Sequence, residues 1–142
     1  MSTDVLVPAP VRNRRADLLL RAGVILLELF VAVGALYGGV SLLMDTWALP
    51  SEWLEALPFD GWTIPGLLLI VLIGLPGLGA AVFEALGRRW VIPWSLAYGV
   101  GLVAWILVQI LIVPFSAMQP TIAIVGLVIA AASWSRLRLA RT

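Results

Sequence analysis

Cysteine, histidine and lysine are all absent from this chain, and charge of either sign is scarce. Without cysteine or histidine there is no disulfide, thiol nucleophile, haem-attachment motif, histidine-ligated zinc or imidazole base. Without lysine there is no Schiff base to a carbonyl substrate. Charged residues make up 12% of the 142 positions, against about a quarter in a soluble domain. The chain therefore lacks the polar material to cover a globule in water. What it has instead is apolar: 62% hydrophobic residues and a mean hydropathy of +1.07. Both soluble and disordered classes fail on that balance, and lipid is the expected solvent.

Four apolar runs are long enough to cross a bilayer core of about 30 Å, which takes roughly 20 helical residues. They lie at residues 22–43, 64–86, 91–113 and 118–134, the last near the lower limit. The first follows Arg12, Arg14 and Arg15, but its apolar run is too long for a signal peptide and no A-x-A site follows. A retained helix is expected there. The predicted architecture is all-α: an antiparallel bundle of four transmembrane helices over residues 16–142, after an N-terminal tail at 1–15 and before a C-terminal end at 135–142.

The one sizeable loop, residues 45–63, holds four carboxylates and a concentration of aromatics. Ser51 after Pro50 predicts an N-cap, with Glu52 in the first turn of a short helix whose Trp53, Leu54 and Leu57 share a face. Trp47, Trp53, Trp62 and Trp90 are expected as anchors at the headgroup level. Orientation is read from arginine. Arg12, Arg14, Arg15, Arg21, Arg88, Arg89, Arg136, Arg138 and Arg141 all fall on one side of a four-span topology, and the other side has none. The positive-inside rule then predicts cytoplasmic termini in a bacterial plasma membrane.

Helical periodicity predicts which faces pack. Small and polar residues align in the first span (Arg21, Glu28, Ala32, Ala35, Gly39), the second (Gly74, Gly77, Ala81, Glu84, Arg88) and the fourth (Gln119, Ala123, Gly126, Ala130, Ser133). Such stripes let helix backbones approach in lipid. The third span instead aligns Trp94, Tyr98, Gly101, Trp105 and Gln109, a packing or lipid-facing stripe. Gln109 needs a partner, with Gln119 and Ser116 across the short turn as candidates. Pro76, flanked by Gly74, Gly77 and Gly79, predicts a kink or local break in the second span.

Glu28 lies seven residues beyond Arg21, about 10 Å deeper along the helix. A carboxylate at that depth costs about 2.5–3.5 kcal/mol and faces protein or water. Two readings stay open. Arg21, Glu28, Glu84 and Arg88 form a structural polar cluster, or Glu28 serves proton coupling, transport or partner binding. No catalytic constellation, metal site or cofactor motif is present: the serines lack histidine or lysine partners, and the glycines near Pro76 lack the lysine of a P-loop.

Trp105 and Gln109 one turn apart, a short turn, Gln119-Pro120 and then Gly126 in an apolar helix resemble a pattern in small four-helix membrane proteins of bacteria. This resemblance covers about a quarter of the chain and implies the architecture. Glu28 in Ile25-Leu26-Leu27-Glu28, with Tyr98 and Trp105, is similar to small multidrug resistance transporters, where a first-span glutamate is essential. The long first loop departs from that family. The expectation is a non-enzymatic membrane protein acting through helix packing, as an accessory subunit, assembly factor or homo-oligomer. Its expected partners are membrane lipids and a protein or second copy, not nucleic acid. The alternatives are a proton- or cation-coupled transporter using Glu28, and a lipid-binding protein.

Overall fold

A computed structural model describes residues 11–141, with side chains from Arg14 onward. The chain is all-helical over these residues, with no strand. Its elements are α1 (Val11–Leu43), a 3-10 turn (Ser51–Leu54), α2 (Thr63–Leu68), a π-helical segment (Leu69–Gly74), α3 (Leu75–Ala85), α4 (Val91–Ile112) and α5 (Met118–Leu139). Helix α2, the π segment and α3 run on as one second span. Four helices are thus long and apolar enough to cross a membrane: Arg14–Leu43, Thr63–Ala85, Val91–Ile112 and Met118–Leu139.

Most of the expected tail lies outside the described residues, but the helix already begins at Val11. Arginine, alanine and leucine are strong helix formers and carry α1 beyond the apolar run. At the other end α5 continues to Leu139, past the expected limit at residue 134. Both extensions bring charged residues onto helical faces, and this proves decisive for the site.

The close contacts are made by glycine. A Cβ on Gly39 would lie 2.8 Å from the Gly66 carbonyl oxygen, and one on Gly66 equally close to that of Gly39. Gly99 and Gly126 stand in the same relation at 2.7 and 2.8 Å. Backbones therefore touch at two crossings, α1 on α2 and α4 on α5. In lipid, where apolar burial gives no drive between helices, such approach supplies the van der Waals contact that holds them. Val24, Val31, Ala35, Ile73, Tyr98, Leu102 and Ile129 form the core, while Leu19, Phe30, Leu111 and other large apolar side chains face outward.

The stripes of the first, second and fourth spans face inward apart from their terminal arginines, with Ala123 and Ala130 half-buried. The third-span stripe does not. Trp94 is 52% exposed and Gly101 is also exposed. The buried face of α4 is Ser95, Tyr98, Gly99, Leu102 and Ile106. In a membrane helix both the lipid side and the packed side are apolar, so periodicity alone does not tell them apart.

Pro76 interrupts the second span through the π segment that precedes it. Tyr98 Oη donates to the Ile73 carbonyl three residues before the proline, at 2.9 Å. Pro76 lacks the N–H that the Leu72 carbonyl four residues back would receive in a regular α-helix, and the hydroxyl of Tyr98 from a neighbouring helix bonds the next carbonyl of the same interrupted turn. In the loop, Pro50 rather than Ser51 occupies the N-cap position, and no side chain caps the 3-10 turn. Trp53, Leu54 and Leu57 are half-buried together.

Candidate functional site

Glu28 on α1 is fully buried, at 0% exposure. Its Cβ tilts toward the N-terminus of α1, which aims the carboxylate toward the Arg21 end. Neither carboxylate oxygen has a hydrogen-bond partner among the described residues. Ser95 of α4 stands near enough to act on the carboxylate but falls short of hydrogen-bond geometry. Glu84 and Arg136 are within its electrostatic range, and Glu28 in turn acts on Tyr98.

Glu84 of α3 is also buried, but it is paired. Arg136 Nη1 donates to Glu84 Oε1 at 2.7 Å, and Arg136 Nε donates to Asp17 Oδ1 at 2.9 Å. One guanidinium, only 4% exposed, thereby ties α5 to α3 and α1. The planar fork of arginine suits this two-sided bridge.

Arg21 does not meet a carboxylate. Its Nε and Nη2 donate to the main-chain carbonyls of Glu84 and Ala85 at 2.8 and 2.9 Å. That helix ends in a Schellman turn, with Arg88 N–H to Phe83 O and Gly87 N–H to Glu84 O, and Gly87 at φ +75°. Arg21 places positive charge on the carbonyls at the end of α3, where the helix dipole favours it. The same turn carries Arg88 outside, where it is exposed. The expected cluster is therefore corrected: Arg136 and Asp17 take the place of Arg88, and Arg21 holds backbone rather than Glu28 or Glu84.

Sequence reasoning missed Arg136. The stripe Gln119, Ala123, Gly126, Ala130, Ser133 advances alternately by four and three residues, and its next member is Leu137, which leaves Arg136 about 100° to one side. Ending the span at residue 134 also left Arg136 outside the helix. Ser95 and Ser133, both fully buried and unpartnered, were also not assigned together.

The other expected groups are separate. Gln119 is buried and its Oε1 accepts from Ser116 N–H at 3.3 Å, closing the turn before α5. Gln109 is half-buried and takes no part in that bond. Trp105 lines an apolar groove of about 440 Å³ between the second span and α4, with Ile73, Pro76, Trp94 and Tyr98. Trp47 tilts against Tyr37 at 6.1 Å and Trp90 against Phe83 at 4.9 Å between ring centroids. Both are exposed, while Trp53 and Trp62 are half-buried. Among the described residues no three acidic side chains converge as a metal cage would require.

Comparison with protein-family models, curated proteins and solved structures finds no match. The chemistry of the site rests on its own geometry.

Proposed function

We propose that this chain is a small multi-pass membrane transporter coupled to a proton or another cation, with Glu28 as the coupling carboxylate. The observation that carries this reading is the complete burial of Glu28 with both oxygens unpartnered, while the buried carboxylate of Glu84 is paired with Arg136. An ionised group in that position costs several kcal/mol, so occupancy by a positive charge is strongly linked to the state of the protein. Buried ionisable residues in transmembrane helices mark proton and ion pathways for this reason.

Antiparallel helices with both ends in the cytoplasm, in a plasma membrane, fit this reading. The contacts Arg21–Glu84 and Asp17–Arg136 support it, as does the absence of arginine from residues 45–63 and 113–118. We assign no enzymatic step.

The test is uptake in proteoliposomes under an imposed pH or sodium gradient, with tetraphenylphosphonium as a lipophilic-cation probe. Gradient-driven accumulation is expected for the unmodified chain and for Glu28→Asp at a reduced rate, and its loss is expected in Glu28→Gln. Equal accumulation by Glu28→Gln refutes the assignment.

A second reading, association with a partner or another copy, is favoured by one observation. Gly34 opens on a shallow face of α1 between Phe30 and Tyr37, with nothing within 4 Å of a Cβ placed there. The small-residue stripes that first suggested association are largely occupied within the chain itself, which places this reading second. Lipid contact at the Trp105 groove is compatible with both.

A further inference from the structure

Arg88 and Arg89 are consecutive in the turn between α3 and α4, and both are exposed. Among the described residues neither meets a carboxylate. Glu84, the acidic residue nearest to them in sequence, is buried and spent on Arg136. Arg21 brings a third guanidinium to the same turn, where it holds the carbonyls of Glu84 and Ala85. The turn therefore carries positive charge that nothing in the chain offsets.

An apolar seam starts at that turn. Phe83 of α3 and Trp90 tilt together at 4.9 Å between ring centroids, and both rings are exposed. Aromatic rings beside arginines at a helix end sit at the headgroup level. From Trp90, the positions of Trp94, Ala97, Gly101 and Val108 recur on one face of α4. Across from them stands Pro76, seven residues before Phe83 and so on the same face of α3. These residues from Trp94 onward, with Pro76, line the groove of about 440 Å³ between the second span and α4.

Small residues open that groove. Ala97, Gly101 and Ala104 lie between the two indoles of Trp94 and Trp105, and a Cβ on Gly101 would meet nothing within 4 Å. The hydroxyl of Tyr98 is committed to the Ile73 carbonyl, and the other lining side chains are apolar or indole. Packed interiors leave no void of this size, and a space open to the bilayer at this depth takes hydrocarbon. From Trp94 to Val108 helix α4 rises about 21 Å, more than the roughly 15 Å that one leaflet contributes to the bilayer core. The seam is thus cationic at one end and apolar for the depth of a leaflet. A molecule that suits both parts has an anionic head on a long acyl chain.

We propose that the seam between the second span and α4 is a binding site for one anionic phospholipid, its phosphate on Arg88 and Arg89 and an acyl chain in the groove past Gly101. The inference goes beyond the coupling reading and does not depend on Glu28. Guanidinium forks match phosphate oxygens, and basic pockets at the ends of transmembrane helices recognise anionic headgroups. A zwitterionic lipid offers the same chains but brings an ammonium toward two unpaired arginines, so charge discriminates between them. Arg138 serves as the contrast. It is exposed at the same end of the bundle but lies over Trp134 at 5.2 Å on α5, a helix that does not border the groove.

The experiment is native mass spectrometry of the full chain in detergent, titrated with phosphatidylglycerol or with phosphatidylcholine of the same acyl chains. One phosphatidylglycerol should bind saturably and at least tenfold more tightly than phosphatidylcholine. Glycerol 3-phosphate, a head without chains, should not displace it. Binding should weaken at least tenfold in Arg88→Gln/Arg89→Gln, and equally in Gly101→Phe, which fills the groove from a position with open space around it. Arg138→Gln should bind as the unmodified chain does. Melting without added lipid confirms that the variants are folded, and the two comparisons on the unmodified chain need no variant. Equal affinity for the two lipids overturns the proposal, as does displacement by glycerol 3-phosphate, which would make the turn a site for a free anion. Full binding by the double arginine variant or by Gly101→Phe overturns it too. An equal loss in Arg138→Gln does the same, because diffuse charge would then suffice.

Discussion

Arg136 reaches Glu84 at 2.7 Å across 52 residues of sequence, and the pair is almost sealed from solvent on both sides. This contact, with the Asp17 arm of the same guanidinium, joins three helices at one end and leaves Glu28 as the unpaired carboxylate above it.

Removing one partner of a buried pair strands the other charge. Arg136→Leu is expected to lower stability by about 3 kcal/mol, read by thermal unfolding in detergent. Arg136→Leu with Glu84→Leu should recover most of that loss, because the carboxylate stranded by the single substitution is then removed as well. A double variant no more stable than the single one would show that the pair is not what holds these helices.

Two arginines near the same turn should behave differently. Arg21→Ala removes two charge-assisted bonds to the end of α3 and is expected to cost about 1.5–3 kcal/mol. Arg88 is exposed, and Arg88→Ala should stay within about 0.5 kcal/mol. Unfolding midpoints of the two variants check this, and a larger loss for Arg88→Ala would contradict the geometry.

Tyr98→Phe deletes the hydroxyl bound to Ile73 O at the proline interruption. Interhelical hydrogen bonds in membranes contribute about 0.6 kcal/mol on average and up to about 1.7, so a loss within that range is expected. Amide hydrogen exchange should quicken over residues 69–78 and be unchanged elsewhere in the second span. Uniform exchange would mean the bond does not stabilise the π segment.

Glycine replacement separates contact positions from open ones. Gly99→Ala and Gly126→Ala push a methyl into the facing backbone, with an expected cost of about 1–3 kcal/mol each. Gly34→Ala and Gly101→Ala meet open space and should gain up to about 1 kcal/mol from helix propensity. Parallel melting curves of the four variants decide the point.

Four spans were legible in the chain because hydropathy and length are local properties. Three of the four packing faces were legible as well, since small residues at helical spacing betray where backbones meet. The face of α4 was not. Trp94 and Gly101 look outward while Ser95, Gly99 and Leu102 look inward, and in lipid both directions are apolar.

The depth of Glu28 followed from its place within an apolar run, and so did its candidacy for function, whereas its lack of a paired arginine did not. Which charges would accompany it was a tertiary decision. The Schellman turn at Gly87 swings Arg88 out, and the crossing of α4 on α5 rotates Arg136, Ser95 and Ser133 inward. Electrostatic partnership is settled by a few ångströms and by helix rotation. Neither quantity exists until the helices have met.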